Sequence, residues 1–178
     1  PEPKRCTLSI IANYPDILGQ EGGRILNAVR GAFRLARETF GTGPGWEGRN
    51  GAYFCMADAS NGIPLLIVLV GEVPIEKAQK YLDFCQEKAS RLATHPEHLT
   101  SYSSRSPDEN QWGGAVNIGN NLIFSMSGLP ELGDEAVMLL AGRLIRSTWR
   151  LPTTIVDAAG SEHKNEYWQV LQEVRALS

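Results

Sequence analysis

QWGGAVNIGNNLIFSMSGLPELGDEAVMLLAGRLIR, residues Gln111 to Arg146, is the stretch that decides the fold. Ala115–Ile118 and Leu122–Met126 are strand-like runs separated by Gly119-Asn120-Asn121, residue types that accept positive φ and close hairpins. Ser127-Gly128-Leu129-Pro130 ends the second strand, because proline cannot donate to a ladder. Glu131, Asp134 and Glu135 then stand where a helix N-terminus favours negative charge, with Arg143 and Arg146 near its far end. Ala136–Ala141 is apolar on every side, so the spacing predicts a buried helix and a ββα unit.

Working outward, Ala52–Ala57 and Pro64–Val70 form a second hairpin across the turn formers Asp58 to Gly62. Leu65–Val70 is apolar throughout, the pattern of a central strand covered on both faces. Pro74 opens a helix to about Ala93 whose Ile75, Ala78, Leu82, Cys85, Ala89 and Leu92 trace a buried seam. Lys77, Lys80, Asp83, Glu87 and Arg91 take its wet side. Nearer the N-terminus, Cys6–Ala12 reads as a strand stopped before Pro15, and Arg24–Phe40 as a helix with Arg30, Arg34 and Arg37 on a solvated face. At the other end, Thr153–Val156 reads as an edge strand, and Ser161 as the N-cap of a last helix. Hairpins divided by helices give an α+β domain with an antiparallel sheet of five or six strands.

A chain of 178 residues with 42% hydrophobic and 21% charged residues suits one globular domain. Its formal net charge of −3 gives no reason to expect nucleic acid or an anionic membrane as partner. No apolar run approaches the ~18–20 residues of a membrane helix. The chain opens on Pro1, which is compatible with a trimmed N-terminus. Cys6, Cys55 and Cys85 have neither disulfide-framework nor zinc spacing, so the expected compartment is reducing and cytoplasmic.

Motifs for chemistry are few. GTGPGWEGRNG, residues 41–51, lacks the GK[ST] ending and follows a helix, against both phosphate-loop and dinucleotide patterns. Trp46 within it either packs back or stands at a ligand mouth. Ser125 and Ser127 lack the glycine of a nucleophile elbow. His95 and His98 are the one close imidazole pair and the weak candidates for a haem iron; otherwise they are solvated loop residues. His163 stands alone and reads as solvated, Asp134 and Glu135 as helix-dipole partners. The corner from Ser127-Gly128 to Asp134 can bring backbone N–H groups close to a carboxylate or phosphate, although its acidic neighbours favour a purely architectural role.

Gly113-Gly114-Ala115-Val116, followed by Ser125-Met-Ser-Gly-Leu-Pro-Glu-Leu-Gly-Asp-Glu-Ala136-Val137, resembles the signature of the GlcG/HbpS-like family, whose members include haem-binding proteins and the C-terminal domain of PduO. The likeness is nearest to a branch with an HGGA…SGLP pattern and covers about 30 residues. It implies a profilin-like sheet, a homo-oligomer, and binding of a small molecule such as haem or a corrinoid. Trp112 stands where that branch has histidine, and no haem histidine carries over. The expected function is therefore non-catalytic small-molecule binding at Trp112, Gly113, Gly114, Ser127 and Gly128, with Asp58 and Arg105 as charged contributors. Two alternatives are an enzyme acting on a small organic acid or tetrapyrrole, built where Asp58, Arg105 and the glycine corner converge, and an interaction module using Trp168 and Tyr81.

Overall fold

The computed structural model describes the backbone of residues 6–119, 121–145 and 153–176, and the side chains of residues 19, 21–119, 121–145 and 157–176. Helix α1 (Cys6–Phe40) leads to strands β1 (Gly51–Asp58) and β2 (Pro64–Gly71) and helix α2 (Ile75–Ala93). Two 3-10 turns, Ser101–Ser104 and Pro107–Glu109, precede β3 (Ala115–Gly119), β4 (Leu122–Ser127) and α3 (Glu131–Ile145). Helices α4 (Thr153–Glu162) and α5 (Glu166–Ala176) follow. All neighbouring strands are antiparallel, in the order β2-β1-β4-β3. The two expected hairpins therefore lie side by side in a four-stranded α+β sheet, with β1 and β4 at its centre.

Strand alternation divides the core. Ala52, Phe54, Met56, Val116, Phe124 and Met126 join α1 and α3 on one face. Cys55, Ala57 and Ile123 meet Cys85, Ala89 and Leu92 of α2 on the other. Gly133–Gly142 of α3 is wholly buried; the apolar run Ala136–Ala141 requires this, and Asp134 and Glu135 are covered along with it. Cys55 and Cys85 are free and buried, and burial first, then Cys55 beside it, raises the Cys85 thiol well above its ordinary range.

Several expectations give way to tertiary packing. Cys6–Ala12 belongs to α1 and Thr153–Val156 opens α4, so neither is a strand and the sheet has four strands, not five or six. Both runs are short and rich in apolar β-formers, which periodicity cannot separate from a helix segment. β2 is an edge strand, with Ile67 and Leu69 37% and 46% exposed. A continuous apolar run shows that a strand is greasy, without showing that both faces are covered. Asn165, not Ser161, caps the last helix, its Oδ1 accepting the Trp168 N–H at 3.1 Å. Trp168 is 2% exposed and unavailable as a surface contact.

Trp46 packs back onto the body, 1% exposed, against the rings of Phe40 and Tyr167. Gly133 of α3 makes room for it: a Cβ there would stand 2.7 Å from Trp46 Cζ2. Replacing a helical glycine by alanine gains about 1 kcal/mol of propensity, while overpacking a core costs about 1–3 kcal/mol. With a rigid indole as the obstacle, the clash prevails. Gly133→Ala is expected to lower the unfolding free energy by roughly 1–2 kcal/mol in urea titrations; a stabilised variant would refute this packing.

Candidate functional site

A cleft of about 330 Å³ opens where the end of β4 turns into α3, lined among others by Arg49, Lys80, Tyr81, Phe84, Trp112 and Pro130. Its volume falls at the lower end of the ~300–1,000 Å³ usual for small-molecule sites. Three of the sequence-selected residues, Trp112, Ser127 and Gly128, line it.

Lys88 and Asp134 stand at its base, their side chains 3% and 2% exposed. Lys88 Nζ donates to Asp134 Oδ2 at 3.0 Å and to the Met126 carbonyl at 2.9 Å. Asp134 Oδ1 accepts the Leu129 N–H at 3.0 Å. The donor that the glycine corner offers at Leu129 is thus taken by the protein's own carboxylate. Gly114, with φ +119°, allows lysine and aspartate to meet: a Cβ there would lie 2.8 Å from Asp134 Cβ and 2.9 Å from Lys88 Nζ. Gly128, with φ +153°, lies so close to β1 that a Cβ would stand 2.4 Å from the Gly51 carbonyl oxygen.

The rim carries a second, more exposed arrangement. Glu131 Oε1 accepts the Gly113 N–H at 2.6 Å and lies 3.2 Å from Arg105 Nε, so Gly113 and Arg105 border the site through one carboxylate. Arg49 Nη1 donates to the carbonyls of Gly128 and Leu129 at 3.1 and 3.2 Å. Among the described residues no carboxylate lies within ion-pair distance of Arg49. Lys80 Nζ rests 5.5 Å above the centre of the Phe84 ring.

Asp58 lies elsewhere. It pairs with Leu122 at the start of β4, whereas Ser127 at the cleft pairs with Tyr53. Five residue steps along β1 separate the two places, roughly 17 Å. Asp58 instead caps its own turn, Oδ1 accepting from Ser60 N–H, the Ser60 hydroxyl and Asn121 Nδ2. The convergence of Asp58, Arg105 and the glycine corner therefore does not occur. His95 and His98 stack on each other, ring centres 5.0 Å apart, beyond the C-terminal end of α2, and neither lines the cleft.

Sequence reading missed Arg49, which sits in an apparently featureless glycine loop, and Lys88. The signal for Lys88 was its place between Cys85 and Ala89, inside the apolar seam of α2. Arg91, assigned to the wet side, is 8% exposed and donates to the carbonyls of Ser101, Ser104 and Trp112. His163 is not solvated, and Glu135 has a partner beyond the helix dipole: the carboxylate is 0% exposed, and the imidazole, 7% exposed, lies 3.3 Å from its Oε2.

No protein-family model, curated protein or solved structure matches the chain. None of the described helices is long and apolar enough to cross a membrane. Among the described residues no group of three or more His, Cys, Asp or Glu side chains is arranged to hold a metal ion.

Burial raises the Asp134 carboxyl from 3.8 to about 6, against the attraction of Lys88 and the bond from Leu129. A raised carboxylate contributes stability that is present below pH 3.8 and lost as pH rises through about 6. Removing one partner still leaves the other charge buried, so Lys88→Met should cost roughly 3–5 kcal/mol at pH 7. Adding Asp134→Asn, which keeps an acceptor for Leu129, should recover at least half of that. Urea unfolding from pH 4 to 7 should show the wild type losing stability relative to the double variant as pH rises, by about 3 kcal/mol in full. Parallel pH profiles would contradict the assignment.

Proposed function

We propose that the cleft between α2 and the β4–α3 corner is a non-catalytic binding site for a small anionic molecule with a flat, apolar body. The observation that carries this reading is Arg49: a guanidinium fixed by two carbonyls, with no carboxylate within ion-pair distance among the described residues and Asp134 only as a longer-range counter-charge, on the wall of a cleft that also contains Tyr81, Phe84 and Trp112. A guanidinium matches a carboxylate or phosphate in shape and charge, and the rings supply apolar contact area. Lys80 adds a second cation at the mouth, while Lys88 is already committed to Asp134.

Kinship with GlcG/HbpS-like proteins, and with it a profilin-like sheet and haem or a corrinoid as ligand, belongs to the same proposal and rests on the GGAV and SGLPELGDEAV residues. A tetrapyrrole in this cleft is held through its acidic side chains and ring faces, because no histidine lines the wall. The alternative of an interaction surface built on Trp168 loses its anchor in the core.

The homo-oligomer is proposed as a second copy paired through β2. PLLIVLVG has no charge and no internal proline, the usual protections of an edge. Two antiparallel copies centred on Val68 would set Ile67 of one opposite Leu69 of the other, covering both exposed side chains. Leu69→Lys should convert the assembly to monomer in sedimentation velocity; a wild-type monomer would dismiss the pairing.

Calorimetric titration with aromatic carboxylates, haem and a corrinoid tests the ligand. Saturable binding is expected for at least one, weakened roughly 10- to 100-fold by Arg49→Gln, the cost of a charged hydrogen bond. Binding indifferent to Arg49→Gln and Lys80→Gln, or no binding, would defeat the reading.

A further inference from the structure

Away from the cleft, three side chains from three elements form a line. Ser103 lies in the 3-10 turn before β3, His163 between α4 and α5, and Glu135 in the first turns of α3. Ser103 Oγ is 3.2 Å from His163 Nε2, and His163 Nδ1 meets Glu135 Oε1 at 3.4 Å, with Oε2 3.3 Å away and the Thr100 hydroxyl 3.4 Å from the same nitrogen. The serine is exposed, the imidazole nearly covered and the carboxylate fully covered. Glu135 is held by Asn165 Nδ2, which donates to its Oε1 at 3.1 Å, while its Oε2 has no hydrogen bond of its own. A buried acid orienting an imidazole whose other nitrogen meets a solvent-facing hydroxyl is the arrangement of nucleophilic acyl transfer, recognised by geometry and not by chain order.

We propose that Ser103 is an acyl-accepting nucleophile, with His163 as its general base and Glu135 as the positioning carboxylate, acting on small, accessible esters. In the neutral ring, Nδ1–H faces Glu135 and Nε2 accepts the Ser103 proton. Ser103 Oγ then forms a bond to the ester carbonyl carbon, and the alcohol departs with the proton held on His163. Water repeats the sequence on the acyl-serine, its proton passing through His163, so that ester and water become acid and alcohol and Ser103 is restored.

Glu162 modulates the site. Ser103 Oγ also donates to Glu162 Oε1 at 3.0 Å, a bond that turns the hydroxyl proton away from the imidazole. The charged and titratable groups facing His163 are Glu135 and Glu131 on α3, Glu162 on α4, and Tyr102, whose ring centre is 4.5 Å away and carries the Arg105 guanidinium on its face. Burial works to lower the imidazole's pKa, but the bond to Glu135 and the charges of Glu135, Glu162 and Glu131 together raise it above the ordinary 6.5. The base form therefore takes over at a higher pH than in an ordinary histidine.

The test uses the full chain with a fluorophosphonate probe, mapped by peptide mass spectrometry, and p-nitrophenyl acetate turnover from pH 5 to 9. Label on Ser103, absent in Ser103→Ala, and a rate rising with pH through a midpoint above the ordinary histidine range are expected. His163→Ala should cut the rate at least tenfold. Glu162→Gln, a change at an exposed residue that leaves the fold intact, should raise the rate and move the midpoint to lower pH. The same three residues also tie the turn to α3, and a purely structural tie predicts none of this reactivity. No label at Ser103, or a pH profile unmoved by Glu162→Gln, would overturn the proposal, and neither result bears on ligand binding at Arg49.

Discussion

The contact between Lys88 and Asp134 is the constraint on which the arrangement of layers depends. α2 and α3 lie on opposite faces of the sheet, so their side chains can meet only past the end of a strand. The lysine reaches round that end beneath Gly114, where a single added carbon would collide with both partners. Each charge is too deeply covered to be left alone, and the attraction between them does not fully offset the loss of water, which is why the carboxyl sits near pH 6. The pair is thus better understood as fixing register than as a source of stability. It ties α2 to the β4–α3 corner, the two walls of the cleft.

The cleft follows from two decisions made at that corner. Gly128 presses its backbone against Gly51 and Ala52, so the chain leaves β4 without any side chain between corner and sheet. Asp134 then satisfies the Leu129 N–H from within. The helix N-terminus is thereby closed to an outside anion, and the carbonyls of Gly128 and Leu129 hold Arg49. Positive charge at this cleft comes from a side chain anchored on backbone oxygen, with its remaining N–H groups available. A corner built with a free N–H and no arginine would have selected the same anions by a different route.

Much of this architecture was legible in the sequence because it obeys local rules. Both hairpins announce themselves through turn chemistry, and α3 through a run with no polar face. The failures share one cause, that local pattern does not carry information about neighbours. Leu65–Val70 is as apolar as a central strand but has β1 on one side only. Thr153–Val156 has the composition of a strand and the backbone of a helix. At the site, the glycines were visible because they are demanded by close approach, and Trp112, Ser127 and Gly128 do line the cleft. Asp58 did not belong there, because a carboxylate after a strand is equally suited to closing its own turn. Lys88, Glu135 and His163 were misread or passed over for the opposite reason: a charged side chain is expected in water unless its partner is known, and each partner lies on a distant element.

Charge on α3 links the two sites. Glu131, Asp134 and Glu135 all lie in its first turns, where the helix dipole favours negative charge and offsets part of their burial. At ~100° per residue Glu131 and Glu135, four positions apart, lie nearly above one another, and Asp134 is turned to one side of them, so the three carboxylates fan out over neighbouring partners. Glu131 reaches the rim through Gly113 and Arg105, Asp134 reaches Lys88, and Glu135 reaches His163 and Asn165. One helix end thereby orients the cleft, the layer-spanning pair and the histidine at once. A small rotation of α3 would move all three carboxylates together, and Gly133 packed beneath Trp46 opposes that rotation. The helix is apolar along most of its length because it is a core element; the acidic residues at its beginning meet Arg105, Lys88 and His163, each from a different part of the chain.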